Sequence, residues 1–226
     1  MGVTTGLADR LRRETDSLHR AAERAPFIAA LLAGRLTKSA YAAMLRDLSN
    51  LYGALEPLAR HAEHPAIAPF SFRALARREA LTADVASLDS ATRLAPARPA
   101  AALYVARLQA LDAAGDGQRL LAHAYVRYLG DLSGGQLLSG AVVRSAHLGG
   151  VGTAFYAFGD RAATASLARA FRTGLAEAVV DDPDAVVAEA QQAFRWHQQW
   201  FDELAAAAGI DETGSIRPGD PEAAGG

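Results

Sequence analysis

From Gln118 to His147 apolar residues return at three- and four-residue spacing (Leu121, Tyr125, Leu129, Leu132, Leu138, Val142), the period of an amphipathic helix. Into the middle of that stretch the sequence sets Tyr128-Leu129-Gly130-Asp131-Leu132-Ser133-Gly134-Gly135-Gln136. Three glycines in nine residues, with a fourth at Gly140, interrupt a helix here and do not make a hairpin. Each glycine inside a helix costs about 1 kcal/mol relative to alanine, so the segment gives up stability for something. The physical return is a local kink and a strip of bare backbone, against which a flat, bulky ligand can lie where a Cβ would collide. A large planar ligand is the first expectation.

The same period runs through nearly every long segment, and no window alternates as a strand would. Helices are expected over roughly 4–24, 27–34, 38–63, 72–90, 97–114, 117–147, 161–180 and 184–207. Pro26, Pro65, Pro69, Pro96, Pro99 and Pro183 fall at or near the breaks, as residues that cannot continue a helix should. Residues 149–152 (Gly-Gly-Val-Gly) read as a loop, and the tail from Gly209 as disordered. The fold class is therefore all-α, with one domain over 1–208 and a loose tail over 209–226.

Composition excludes several chemistries. With 23 basic and 25 acidic residues and a formal charge of −2, the chain lacks the basic footprint of a nucleic-acid binder. It has no cysteine, so disulfides, zinc-thiolate sites, iron–sulfur clusters and thiolate-bound or covalently attached haem are excluded. Thioether ligation would have to come from Met1 or Met44. No apolar run approaches the ~20 residues of a membrane span, and no secretory leader is evident. A cytoplasmic monomer without a membrane anchor is expected.

Among six histidines, His19 has the most suggestive neighbours. Arg12 precedes it by seven residues and Glu23 follows it by four, so the three share one side of a helix. On a flat metal-bearing ligand such as haem, the imidazole would bind iron, Arg12 would meet a carboxylate, and Glu23 would orient the other ring nitrogen. A lone helical histidine is more often a plain surface or core residue. Likewise Arg127 and Asp131, four apart, can be read as a simple helix ion pair worth about 0.3–0.5 kcal/mol.

The two segments taken together, LRRETDSLHRAAE (11–23) and HAYVRYLGDLSGGQ (123–136), resemble the haem oxygenases, which open haem to biliverdin. Further similar stretches are LYGALE (51–56), RREALTADVASL (77–88), FRTGL (171–175) and AFRWHQQWFDEL (193–204), in the family's order. The likeness spans almost the whole chain and is nearest to the short bacterial form. It implies a haem sandwiched between a proximal N-terminal helix and a kinked, glycine-rich distal helix.

The resemblance also implies roles. His19 matches the proximal haem ligand, the one metal-binding residue. Gly130, Gly134 and Gly135 match the glycines over which the haem slides. Asp131 matches the carboxylate that anchors a distal water network supplying a proton to iron-bound oxygen, with Arg127 beside it and Tyr52 in the same network; core packing is an equal reading for Tyr52. Arg12, Tyr125 and Arg172 match propionate-contacting positions, while Asp16 and Ala168 stand where the family can carry lysine. Phe194 and Phe201 match a pocket wall, as does His197, where relatives often carry asparagine; core or pocket lining is the reading for all three.

The implied activity is oxidative cleavage of haem, substrate and cofactor at once, to biliverdin, carbon monoxide and ferrous iron with O2. Electrons would come from a ferredoxin and its reductase or another NAD(P)H-dependent reductase, since no flavin or nicotinamide fingerprint is present. A haem-storage protein of the same fold is the rival from another class. A helical relative that binds no haem is a second rival, opposed by His19 with Arg12.

Overall fold

The computed structural model describes residues 6–87 and 97–216, and within them the regular structure is helical. Eight α-helices follow in order: α1 Leu7–Glu23, α2 Pro26–Leu32, α3 Lys38–Leu55, α4 Arg78–Ala86, α5 Pro99–Ala114, α6 Gly117–Arg144, α7 Arg161–Glu177 and α8 Pro183–Ala207. Short 3-10 turns lie at Glu56–His61, Phe72–Leu75 and Ala154–Tyr156. Residues 4–5 and 88–90 of the expected helices, Pro96, and the tail beyond 216 lie outside the described residues.

Helix starts follow from local chemistry. Thr37, Asp116, Asp160 and Asp182 each accept a backbone N–H three residues on, capping α3, α6, α7 and α8. Pro26, Pro99 and Pro183 begin α2, α5 and α8, where a missing N–H costs nothing. The helix expected over 38–63 ends instead at Leu55, and a 3-10 turn takes over, because Pro57 removes a donor and clashes with the preceding turn. The helix expected from 72 is likewise a 3-10 turn, a break at Ala76–Arg77, and then α4.

Helix α8 is the axis of the packing. Its buried stripe, from Val186 through Phe194, His197 and Trp200 to Leu204, touches α1, α2, α3, α5 and α6. Two polar braces fix it. Glu189 accepts from two nitrogens of Arg107 on α5, Nε and Nη2 (2.9 and 2.7 Å), and faces His123 Nε2 of α6 at 3.0 Å. Trp200 Nε1 donates to Asp47 Oδ2 of α3 at 3.0 Å. Buried side chains from all eight helices join one apolar cluster.

The expected disorder from Gly209 does not hold for the first eight residues of the tail. Ile210 pairs with Ile216 in an isolated antiparallel bridge, and Arg35 Nε donates to Gly214 O at 2.9 Å. Ile210 is buried, so the turn gains apolar contact with the domain.

Candidate active site

Helix α6 is continuous through all its glycines, and none of them takes a positive φ. Glycine is therefore not needed there for backbone conformation. At Gly130 and Gly134, four residues apart on one face, an added Cβ would meet no atom within 4 Å. Both open onto a cavity of about 470 Å³, of the size usual for small-molecule and cofactor sites. From α6 the wall also includes Val126, Arg127, Asp131 and Leu138.

The other walls come from distant segments. Helix α1 supplies His19, Ala22 and Glu23, and α2 supplies Ile28 and Leu32. Met44 and Leu48 of α3, and Phe194, His197, Trp200 and Phe201 of α8, complete the apolar lining. The loop after α6 adds Phe155 and Tyr156. Asp84 holds that loop by accepting the N–H groups of Ala154 (3.1 Å) and Phe155 (2.8 Å), while Tyr41 donates to Gly152 O at 2.6 Å. Gly152 has φ +73°, and a Cβ there would stand 2.6 Å from Leu45 Cδ1, so glycine is required at this turn.

His19 stands half-exposed on its wall. Its Nδ1 lies 3.6 Å from Glu23 Oε2, and its ring meets Phe194 edge-on at 5.9 Å. The carboxylate thus stands beside one ring nitrogen, just beyond hydrogen-bond reach, and the ring borders the cavity.

Asp131 is the polar focus of the α6 wall. Arg127 donates to its Oδ1 at 2.9 Å, and Tyr52, fully buried on α3, donates to Oδ2. Burial opposes both donors and pushes the Asp131 carboxyl well above the usual carboxylate range. Arg127 lies 5.3 Å over the Tyr52 ring, and its other terminal nitrogen donates to His197 Nε2 at 2.7 Å. His197 Nδ1 donates in turn to Ala193 O at 2.9 Å. Burial and the neighbouring Arg127 bring the His197 pKa down to about 3, so the ring is a neutral acceptor.

The structure thus brings His19, Glu23, Arg127, Gly130, Asp131, Gly134, Phe194 and Phe201 to one cavity, with Tyr52 directly behind Asp131. Gly135 points elsewhere: it is buried, and its bare face lies against Tyr156, 3.5 Å from where a Cβ would stand. Tyr125 bridges α6 to α1 through Thr15 Oγ1 at 3.2 Å. Arg12 and Arg172 are exposed outside the cavity lining, Arg12 in a shallow surface depression beside Asp9 and Asp16. Asp16 pairs with Arg20, and Ala168 is buried. Spacing along the chain assigns no functional place to Asp84 or Tyr156, whose neighbours in the fold are remote in sequence.

A family model described as Heme oxygenase matches residues 5–203. The chain belongs to the haem oxygenase family. Among its relatives, haem oxygenase 1 of Nostoc sp. is 34% identical over 211 residues, 89% of this chain and 87% of that protein. Human haem oxygenase 1 is 33% identical over 206 residues, covering 88% and 71%. Among solved structures, haem oxygenase-2 of Synechocystis sp. in complex with haem and NO has a TM-score of 0.83 at 30% identity, covering 96% of this chain and 95% of that one. Haem oxygenase-1 of Synechocystis sp. with haem has a TM-score of 0.80 at 30% identity, covering 90% and 94%. The all-α haem oxygenase fold is therefore shared over nearly its full length. Among the described residues no helix is long and apolar enough to cross a membrane.

Proposed function

We propose that the cavity holds haem, with His19 as the axial iron ligand and Asp131 as the anchor of a proton relay on the opposite face. The chain is a haem oxygenase: it cleaves haem oxidatively to biliverdin, releasing carbon monoxide and ferrous iron. One observation carries the assignment of roles: an imidazole on α1 and a Cβ-free strip beside a carboxyl on α6 line the same apolar slot from different helices. The residues suit the group. A porphyrin needs flat apolar walls, one nitrogen ligand and close approach to backbone, and all three are present.

When bound, haem supplies the iron that activates O2 and the ring that is cut. The protein's own residues do the rest. Glu23, whose carboxylate lies 3.6 Å from His19 Nδ1, is the group placed to orient the ring and leave its other nitrogen for the iron. Gly130 and Gly134 let α6 close on the ligand face, excluding bulk water. Asp131, held by Tyr52 and Arg127, carries a carboxyl that burial holds above the usual carboxylate range, the group that passes a proton through a water it holds. Arg12, Arg172 and Tyr125 are the groups assigned to the haem carboxylates. Arg12 and Arg172 have exposed guanidinium groups able to swing to the mouth.

Without cysteine the chain cannot house its own iron–sulfur centre, so electrons come from a separate donor, a ferredoxin with its reductase or another NAD(P)H-dependent reductase. A monomer acting in the cytoplasm fits that supply. The test is addition of haemin to the purified protein, then reductant under air. A Soret band that decays as a red-absorbing bilin grows is the expected result; a stable band would mark a storage protein, and no band would end the haem reading.

A further inference from the structure

Tyr156 carries a hydroxyl that the packing of its loop does not require. Its ring lies against α6 at Gly135 and meets Phe155 edge to face at 5.0 Å. A phenylalanine would fill that space equally well. The residue is only 5% exposed, yet its hydroxyl has no partner with good hydrogen-bond geometry, and the phenol beside it is that of Tyr41. Tyr41, the neighbouring phenol, gives its own proton to Gly152 O. The loop is anchored by other groups, since Asp84 takes the N–H of Ala154 and Phe155 and Arg77 donates to Ala157 O at 2.8 Å. A buried hydroxyl without a partner costs free energy that a phenylalanine would avoid, so its place has to be explained by something outside the fold.

What surrounds it is the relay. Tyr156 lines the same cavity as Asp131 and Arg127, and the charges of both bear on its phenol. Burial pushes that phenol up, so it remains a donor at any working pH. We infer that Tyr156 is a positioning residue of the relay, its hydroxyl donating a hydrogen bond to the water that Asp131 holds over the bare strip of α6. The phenol keeps its proton throughout, and no bond to it is made or broken. The inference rests on the haem reading of the cavity.

The test is Tyr156→Phe in the full chain, read in two ways. In the ligand-free protein the melting temperature should be unchanged or higher, because no well-formed hydrogen bond of the fold is lost with the contact to Tyr41; a fall of several degrees would show a structural role and overturn the inference. With haemin bound, the pH at which the ferric complex converts from its acid to its alkaline spectrum should rise by about half a unit, since a donated hydrogen bond favours the anionic form. An unmoved midpoint in a variant that binds haemin normally would sink the role of Tyr156 alone. Absence of a Soret band in the wild type would instead sink the haem reading beneath it.

Discussion

Arg127 and His197 meet nitrogen to nitrogen at 2.7 Å, and the histidine is the acceptor because its other nitrogen donates to Ala193 O. The contact joins α6 to α8 across the floor of the cavity. It commits one terminal nitrogen of Arg127, so the other is left aimed at Asp131. A protonated imidazole could not do this, and burial beside the guanidinium keeps the ring neutral.

Replacing that acceptor should loosen Asp131 without touching it. His197→Ala is expected to lower bilin formation by about 10- to 100-fold, as loss of a supporting partner at a metal site usually does. His197→Asn retains a carbonyl acceptor and should recover most of the rate. Single-turnover rates of bilin formation for the two variants check this; equal loss in both would mean that the volume of the ring matters and its acceptor nitrogen does not.

Asp131→Ala should keep haem and lose the reaction. The Soret band persists because His19 is untouched, while bilin formation drops by about 100-fold or more with the proton relay gone. Removing one partner of a buried pair also leaves the Arg127 guanidinium short of an acceptor, at a cost of about 3 kcal/mol in denaturant unfolding. Wild-type bilin rates in this variant would remove Asp131 from the mechanism.

His19→Ala should bind haem weakly and turn over slowly until imidazole is added. The half-exposed position of the ring leaves room for a free imidazole to enter the hole. Recovery of the Soret band and of bilin formation in proportion to added imidazole is the expected outcome, and no recovery with haem fully bound would place the axial ligand elsewhere.

Much of this arrangement could be read from the amino acids. The period of three and four gave the helices, and the glycines marked Asp131 because they break helix propensity locally, where no remote partner is needed to see it. Ends were less legible: α3 stops at Leu55, two residues before Pro57, and the first residues of the tail order themselves by packing Ile210 into the domain. The roles of His197 and Asp84 were hidden because their partners, Arg127 and the 154–155 backbone, lie 70 residues away. Seven residues carry Arg12 two turns, about 10 Å, along α1 from His19, so it stands outside the cavity lining and meets a ligand only through the reach of its side chain.

The low pKa of His197 has a signature in stability. Below about 6.5 the unfolded chain protonates this histidine, whereas the folded protein refuses the proton down to about 3. The contribution is therefore complete above the unfolded value and is lost as pH falls, by up to about 1.4 kcal/mol per pH unit. Glu189 adds in the same direction below 4.5: burial would raise it, but Arg107 and His123 outweigh burial and bring it to about 2. Asp131, raised by burial, works the other way. Unfolding free energies of wild type and His197→Asn compared between pH 6 and 4 isolate the histidine, and the wild type should show the steeper decline. Parallel curves would mean that His197 is not kept neutral.

Gly130 and Gly134 should respond to alanine with opposite signs in stability and in binding. An added Cβ meets no protein atom at either position, so the folded chain accommodates it, and each exchange removes a helix-interior glycine, gaining up to about 1 kcal/mol. The same methyl group stands where the ligand face must approach the backbone, so haemin affinity should fall, most in the double variant. Gly174 provides the contrast, because a Cβ there would lie 2.8 Å from the Phe70 ring and should destabilise the protein. Melting temperatures of the ligand-free variants and haemin titrations together decide the matter. If alanine at 130 and 134 raised stability and left haemin affinity intact, the bare strip of α6 would not be the surface on which haem lies.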